Sequence, residues 1–151
     1  MPEPPAEPPA EPPAEPPAEP PAVVVDTNVF VAAGFRPRSA SARVLAAVRA
    51  GALRLVWDDA TRGETERVVR RIPRLDWPAV ADLFHADARW PGPTRPTDFL
   101  DVPDPDDRKF AALAAAAGAT LVTMDEHLLV ARGRGDVRIA TPSEVAVEAA
   151  R

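Results

Sequence analysis

The chain has no cysteine, only two histidines (His85 and His127) and one lysine among its 18 basic residues. Without cysteine there is no disulfide scaffold, thiolate zinc site, cysteine nucleophile or iron–sulfur cluster. Two histidines are too few for a multi-histidine metal site. Any metal must therefore be held by oxygen ligands, which favours magnesium or manganese. No apolar run approaches the roughly 20 residues of a membrane span, and the N-terminus lacks the basic and apolar regions of a signal peptide. A cytoplasmic protein is expected.

The formal net charge of the 151 residues is −5, but residues 1–22 hold five of the 23 acids and no base. Residues 23–151 balance 18 acids against 18 bases, so the excess charge belongs to the leading segment. That segment also holds 11 of the 20 prolines, Pro2 and the ten in five copies of the unit EPPA over residues 3–22. Paired prolines exclude helix and sheet, and a disordered polyproline II tail is expected, able to reach about 60 Å at ~3.1 Å per residue. It could act as a spacer or bind a proline-recognition domain. No basic residue flanks the prolines to orient them in an aromatic groove, and a solvated extension without a specific partner is the plainer reading. The domain division is a tail over 1–22 and one domain over 23–151, near the usual size for a single core.

From Val23 the texture changes. Val23-Val24-Val25 is a short β-branched run of the kind buried on both faces of a parallel sheet, and it stops at Asp26-Thr27-Asn28. Residues 39–50 place Val44, Leu45 and Val48 on one helical stripe, with Gly51 as a stop. Residues 53–57 read as a second strand, 59–71 as a helix ended by Pro73, and 77–86 as another helix with Pro78 near its start. Residues 90–105, with five prolines, form a loop. Residues 106–117 are an alanine-rich helix closed by Gly118, residues 120–123 a strand running into Asp125, and residues 137–140 a last strand before a helix from Ser143. The alternation predicts right-handed crossovers and an α/β domain with a mostly parallel sheet, whose ligands bind beyond the carboxyl ends of the strands.

Two carboxylates stand at such ends, Asp26 after VVV and Asp125 after LVT. Asp104, Asp106 and Asp107 cluster at the start of the alanine-rich helix; capping and the helix dipole account for one or two of them but not for three. Glu64 and Glu66 lie early in the helix over 59–71. Glu66, among Arg62, Arg67, Arg70 and Arg71, reads as a solvated salt bridge, and counting from Asp58 or Asp59 as N-cap favours Glu64 as the inward acid. Gly63 weakens that helix by up to ~1 kcal/mol relative to alanine. Gathering carboxylates at one edge is costly without a cation, because like charges raise one another's pKa. A divalent ion relieves the cost and activates water for in-line attack on phosphorus.

These residues resemble a known family. The run VVVDTNVF, an acid in a following helix, and then DPDDRKFAALAAAAGATLVTMDEHLL together look like the PIN domain, and in particular the bacterial PIN proteins assigned as toxins of toxin–antitoxin pairs, relatives of the VapC toxins. The likeness extends over 23–147, with IATPSEV similar to the family's closing strand and helix. It implies a three-layer α/β/α sandwich and a magnesium- or manganese-dependent endoribonuclease. Residue by residue, Asp26 matches the first acid of the motif, Glu64 the helix acid, Asp107 the acid opening the alanine-rich helix and Asp125 the acid after the LVT strand. Asp104 matches an additional metal-site acid, and Asn28 and Thr123 match polar residues that orient the carboxylates. The segment WDDATRGETERVV around Glu64 departs from the family's usual serine-led start. The implied partners are an RNA substrate, an antitoxin protein that blocks the site, and a second copy in a homodimer.

Arg36 and Arg38, in the loop after the first strand, and Arg108, beside the acids, are candidates to grip phosphate oxygens. The predominance of arginine over lysine owes much to skewed genomic composition. His127 reads as structural, His85 as a helix-end residue, and Trp57, Trp77 and Trp90 as packing residues, since they lack the basic interleaving of a stacking platform. Two other functions remain open: a PIN fold that binds RNA or protein without cutting, and a phosphatase with Asp26 as covalent nucleophile. Asn28 argues against the second, since that chemistry usually places another aspartate there.

Overall fold

The computed structural model describes residues 2, 4–5, 19–133 and 135–151. The polyproline expectation for the EPPA repeat falls, for residues 3 and 6–18, outside the described residues. Strand β1 is Ala22–Val25, one residue earlier than the valine run alone indicates. Helices α1 (Thr27–Phe35) and α2 (Ala40–Arg49) lead to β2 (Arg54–Leu55), then α3 (Asp59–Arg71) and the short α4 (Trp77–Ala81). Three single 3₁₀ turns, Ala86–Ala88, Pro96–Phe99 and Pro105–Asp107, carry the chain to α5 (Arg108–Ala117). Strand β3 (Thr120–Val122), α6 (Glu126–Leu129), β4 (Ile139–Ala140) and α7 (Pro142–Ala149) complete the domain.

The four described strands form one parallel sheet in the order β2-β1-β3-β4. Val23, Val24 and Val25 lie opposite Thr120, Leu121 and Val122, which places β1 and β3 side by side at the centre. From β1 the chain first crosses to one side, to β2, and only later returns to β3 on the other. The boundary between β1 and β3 is thus the topological switch point, where an open α/β sheet leaves a crevice at its carboxyl edge.

The pleat explains the three layers, because successive side chains point to opposite faces. Val23 and Val25 pack into a cluster with Val29 and Phe30 of α1, Val44 and Val48 of α2, and Val145 of α7. Val24 and Leu121 point the other way, onto Phe110, Leu113 and Ala114 of α5 and Leu128 of α6. The result is the expected α/β/α sandwich. Local chemistry fixes the helix ends: Asp58 and Thr61 form a capping box at α3, Thr141 and Glu144 another at α7, and Gly118 closes α5 with φ at 64°. Among the described residues, no helix is long and apolar enough to cross a membrane.

Several elements differ from the sequence expectation. Residues 27–35, to which the sequence pattern assigns no element, form helix α1; it buries Val29 and Phe30 in the cluster shared with α2, while Phe35 at its end is exposed. The helix expected over 77–86 stops at Ala81 because Phe84 turns inward, stacked on Phe30 at 5.5 Å and packed against Trp57 and Trp77. Those two tryptophans are core residues as expected, and the Arg62 guanidinium lies over the rings of Trp57, Trp77 and Phe84. The strand expected over 53–57 is regular only at Arg54–Leu55, with a further isolated bridge from Trp57 to Arg89. The last strand is Ile139–Ala140, shorter than 137–140. The helix expected from Asp106 begins at Arg108 after a 3₁₀ turn.

Candidate active site

Asp26 follows β1 and Asp125 follows β3, so the two central strands deliver both carboxylates to the switch-point crevice. Asp107 reaches it from the head of α5 and Glu64 from α3. All four line one cleft of about 430 Å³, with Thr27, Asn28 and Met124.

Asp26 occupies the N-cap position of α1, yet its side chain makes no cap bond. Its Oδ2 instead accepts the Thr123 hydroxyl at 2.7 Å, and Asp26 is only 5% exposed. Burial pushes its carboxyl up to about 6; the bonds from Thr123 and the Thr27 backbone oppose this, and the charges of Asp125 and Glu64 add to it. Asp107 is half-buried and pushed up to about 7, by desolvation first, then by the charge of Asp26, a hydrogen bond with Asp125, and the charges of Asp104 and Asp125. Among the described residues, no ion pair involves Asp26, Asp107 or Asp125.

Thr123 is fully buried and bridges the two strand-end acids, since its Oγ1 also accepts the Asp125 N–H at 3.0 Å. Asn28 Oδ1 accepts the Met124 N–H at 3.4 Å, tying the start of α1 to the turn after β3. Asp125 is in part a cap: its Oδ1 accepts the His127 N–H at 2.9 Å at the start of α6. His127 serves through its backbone and its side chain is exposed. His85 is also exposed, and its carbonyl accepts the Trp57 indole N–H at 2.8 Å.

The two helix acids point in different directions. Glu64 faces the cleft, its Oε2 accepting the Thr27 hydroxyl at 3.4 Å, whereas Glu66 pairs with Arg62 and Arg70 along the helix surface. Asp104 stands outside the cleft lining and is exposed; its Oδ1 accepts the Asp106 N–H at 2.9 Å, the capping role, though its charge still reaches Asp107. Arg108 is occupied with backbone, donating to the Val102 carbonyl at 3.0 Å and the Leu100 carbonyl at 3.4 Å. Arg36 and Arg38 lie in the turn between α1 and α2, exposed and in no ion pair among the described residues. Arg36 lines a larger groove of about 740 Å³ that shares Ala32 and Met124 with the acidic cleft.

Sequence reasoning missed Lys109, whose Nζ lies 2.9 Å from Glu64 Oε1. The one available signal was its being the only lysine of the chain, directly after the acidic cluster.

Oxygen donors of this kind suit a hard divalent ion, whose charge would offset the burial and crowding that push two of the carboxyls up. Among the described residues, no three His, Cys, Asp or Glu side chains form a group that could hold an ion unaided. One or two carboxylates completed by water is the arrangement magnesium commonly accepts.

A search of curated proteins returns no match. Among solved structures, the chain is similar to one described as the crystal structure of PAE2754 from Pyrobaculum aerophilum, at 20% identity and a TM-score of 0.54, covering 87% of this chain and 97% of that one. At that identity the likeness speaks for the fold alone. A family model described as PIN domain matches residues 22–127, a span that contains Asp26, Glu64, Asp107 and Asp125. The chain belongs to the PIN domain family.

Proposed function

We propose that the protein is a divalent-metal-dependent endoribonuclease that hydrolyses RNA phosphodiester bonds in the cytoplasm. PIN domains are mostly nucleases. The observation that carries the finer reading is the meeting of Asp26, Asp107 and Asp125 at the switch point, with no cationic partner among the described residues and two of them pushed towards neutral pH. A structural network of buried acids would be paired, since unpaired charge is expensive to bury.

Asp26, Asp107 and Asp125 would hold magnesium or manganese, directly or through water. Bound there, the ion would lower the pKa of water and offset charge on phosphate. Thr123 keeps Asp26 oriented and Asn28 holds the Met124 turn, while Glu64 accepts a hydrogen bond from the attacking water and orients it. Asp104 adds negative field from outside the cleft. Arg36 and Arg38, in the turn beside the contiguous groove, take phosphates on either side of the scissile bond; a balanced body charge leaves affinity to these few contacts and to the metal.

Within the same reading the protein is the toxin of a toxin–antitoxin pair, works as a homodimer, and is restrained by an antitoxin that covers the cleft. Support comes from the sequence likeness and from the groove with exposed Phe35 and Met124 beside the site. The alternative of a PIN fold that binds without cutting draws on the incomplete ligand set. Calorimetry with manganese separates the two. The nuclease reading expects binding that Asp107→Asn weakens at least tenfold; no binding by the wild-type protein leaves only the module.

A further inference from the structure

Lys109 sits in the first turn of α5, the positive end of the helix, where a cation is disfavoured. It is nevertheless held there, three-quarters buried, with its ammonium 2.9 Å from Glu64 Oε1 on the neighbouring α3. Glu64 is more buried still, and among the described residues the only other cation paired with it is Arg67, at 4.0 Å and largely exposed. With the Thr27 hydroxyl on Oε2, both oxygens of Glu64 face donors from the chain itself. Among the described residues, Glu64 is thus the one cleft acid with a built-in counter-charge.

We infer that Lys109 is a positioning residue: it holds Glu64 out of the metal's coordination, so that the ion is taken on the side of Asp26, Asp107 and Asp125 while Glu64 keeps its remaining lone pairs for a hydrogen bond from water. The inference rests on the nuclease reading above and deepens it. A compact ammonium with three donors suits the task, since it can occupy one carboxylate oxygen without the bidentate grip of the guanidinium that the chain uses at every other basic position. Without Lys109, Glu64 would keep only the distant and largely exposed Arg67 at 4.0 Å, the cleft would gain one net negative charge, and a divalent ion would be drawn to the loosened carboxylate. The competing description is an ordinary ion pair that fastens α3 to α5. That description predicts a loss of stability and no gain in metal affinity.

The test is a double-mutant cycle read by manganese calorimetry and by RNA cleavage, with circular dichroism to establish folding. Lys109→Met is expected to bind manganese about tenfold more tightly while its kcat falls, and Lys109→Arg, which keeps the charge but can grip both oxygens, to restore the affinity towards wild type and kcat only in part. The double variant Lys109→Met/Glu64→Gln, which removes one charge of each sign and so leaves the net charge of the cleft unchanged, is expected to bind manganese within about threefold of wild type yet cleave at least tenfold more slowly. It serves even if the single variant does not fold. A double variant that binds at least tenfold more weakly makes Glu64 a ligand and overturns the inference, as does a folded Lys109→Met with unchanged or weaker affinity. No manganese binding by the wild-type protein contradicts the nuclease reading and the inference together, whereas binding indifferent to Lys109→Met contradicts the inference alone.

Discussion

Thr123 shows how one side chain sets the site. Its hydroxyl donates to the buried Asp26 and its oxygen accepts the Asp125 N–H, so a single atom fixes the spacing of two acids from two strands. Thr123→Val keeps the shape and removes both bonds. The expected cost is about 1–3 kcal/mol in denaturant unfolding, because a buried carboxylate loses its donor, with a loss of activity on the order of 10- to 100-fold. The raised carboxyls of Asp26 and Asp107 make a second prediction. Both titrate above the ordinary value of 3.8, at about 6 and about 7, so between those limits the folded chain holds protons that the unfolded chain releases. Folding stability is therefore favoured at low pH and lost as pH rises through the folded values. Metal-free protein is expected to melt at a higher temperature at pH near 5.5 than near 7.5 (about the two sides of that window), with a smaller difference in Asp26→Asn. At the residue scale, Asp26 and Asp125 were legible because a β-branched run ending in aspartate is a local pattern. Lys109 was not, since its meeting with Glu64 depends on how α5 packs against α3.

At the scale of elements, α3 presents Glu64 to the cleft despite a glycine directly before it. A Cβ at Gly63 would meet nothing within 4 Å, and the residue is exposed. Gly63→Ala is therefore expected to stabilise the protein by about 0.5–1 kcal/mol, seen as a rise of a few degrees in Tm, with RNA cleavage unchanged. A fall in Tm would mean that the backbone there needs glycine for a reason its conformation does not show. Elements with local signals were legible: α2 by its apolar stripe, α3 by the Asp58 cap, α5 by alanine and Gly118. Helix α1 was not, since a helix apolar all round and continuous with a strand has no period to read. Helix α4 ended early because burying Phe84 among Phe30, Trp57 and Trp77 outweighs five further residues of helix propensity.

At the scale of the whole molecule, charge and topology act together. The net −5 lies in the tail segment, and the balanced remainder places its acids where the order β2-β1-β3-β4 opens the sheet. The sheet order explains why residues about 100 positions apart in sequence meet, as Asp26 and Thr123 do across 97 positions. Sequence pattern indicated the parallel sheet and the edge at which to look, while the switch point itself needed the strand order. Hydrolysis of RNA at this edge with a divalent ion is tested by cleavage of a labelled RNA by the purified chain. Cleavage with magnesium or manganese is predicted, stopped by EDTA, restored by excess manganese, and reduced at least 100-fold in Asp107→Asn, roughly the loss expected when a required charge-stabilising group is removed. RNA left intact by folded wild-type protein with either metal present, or cut equally well by Asp107→Asn, would contradict the account.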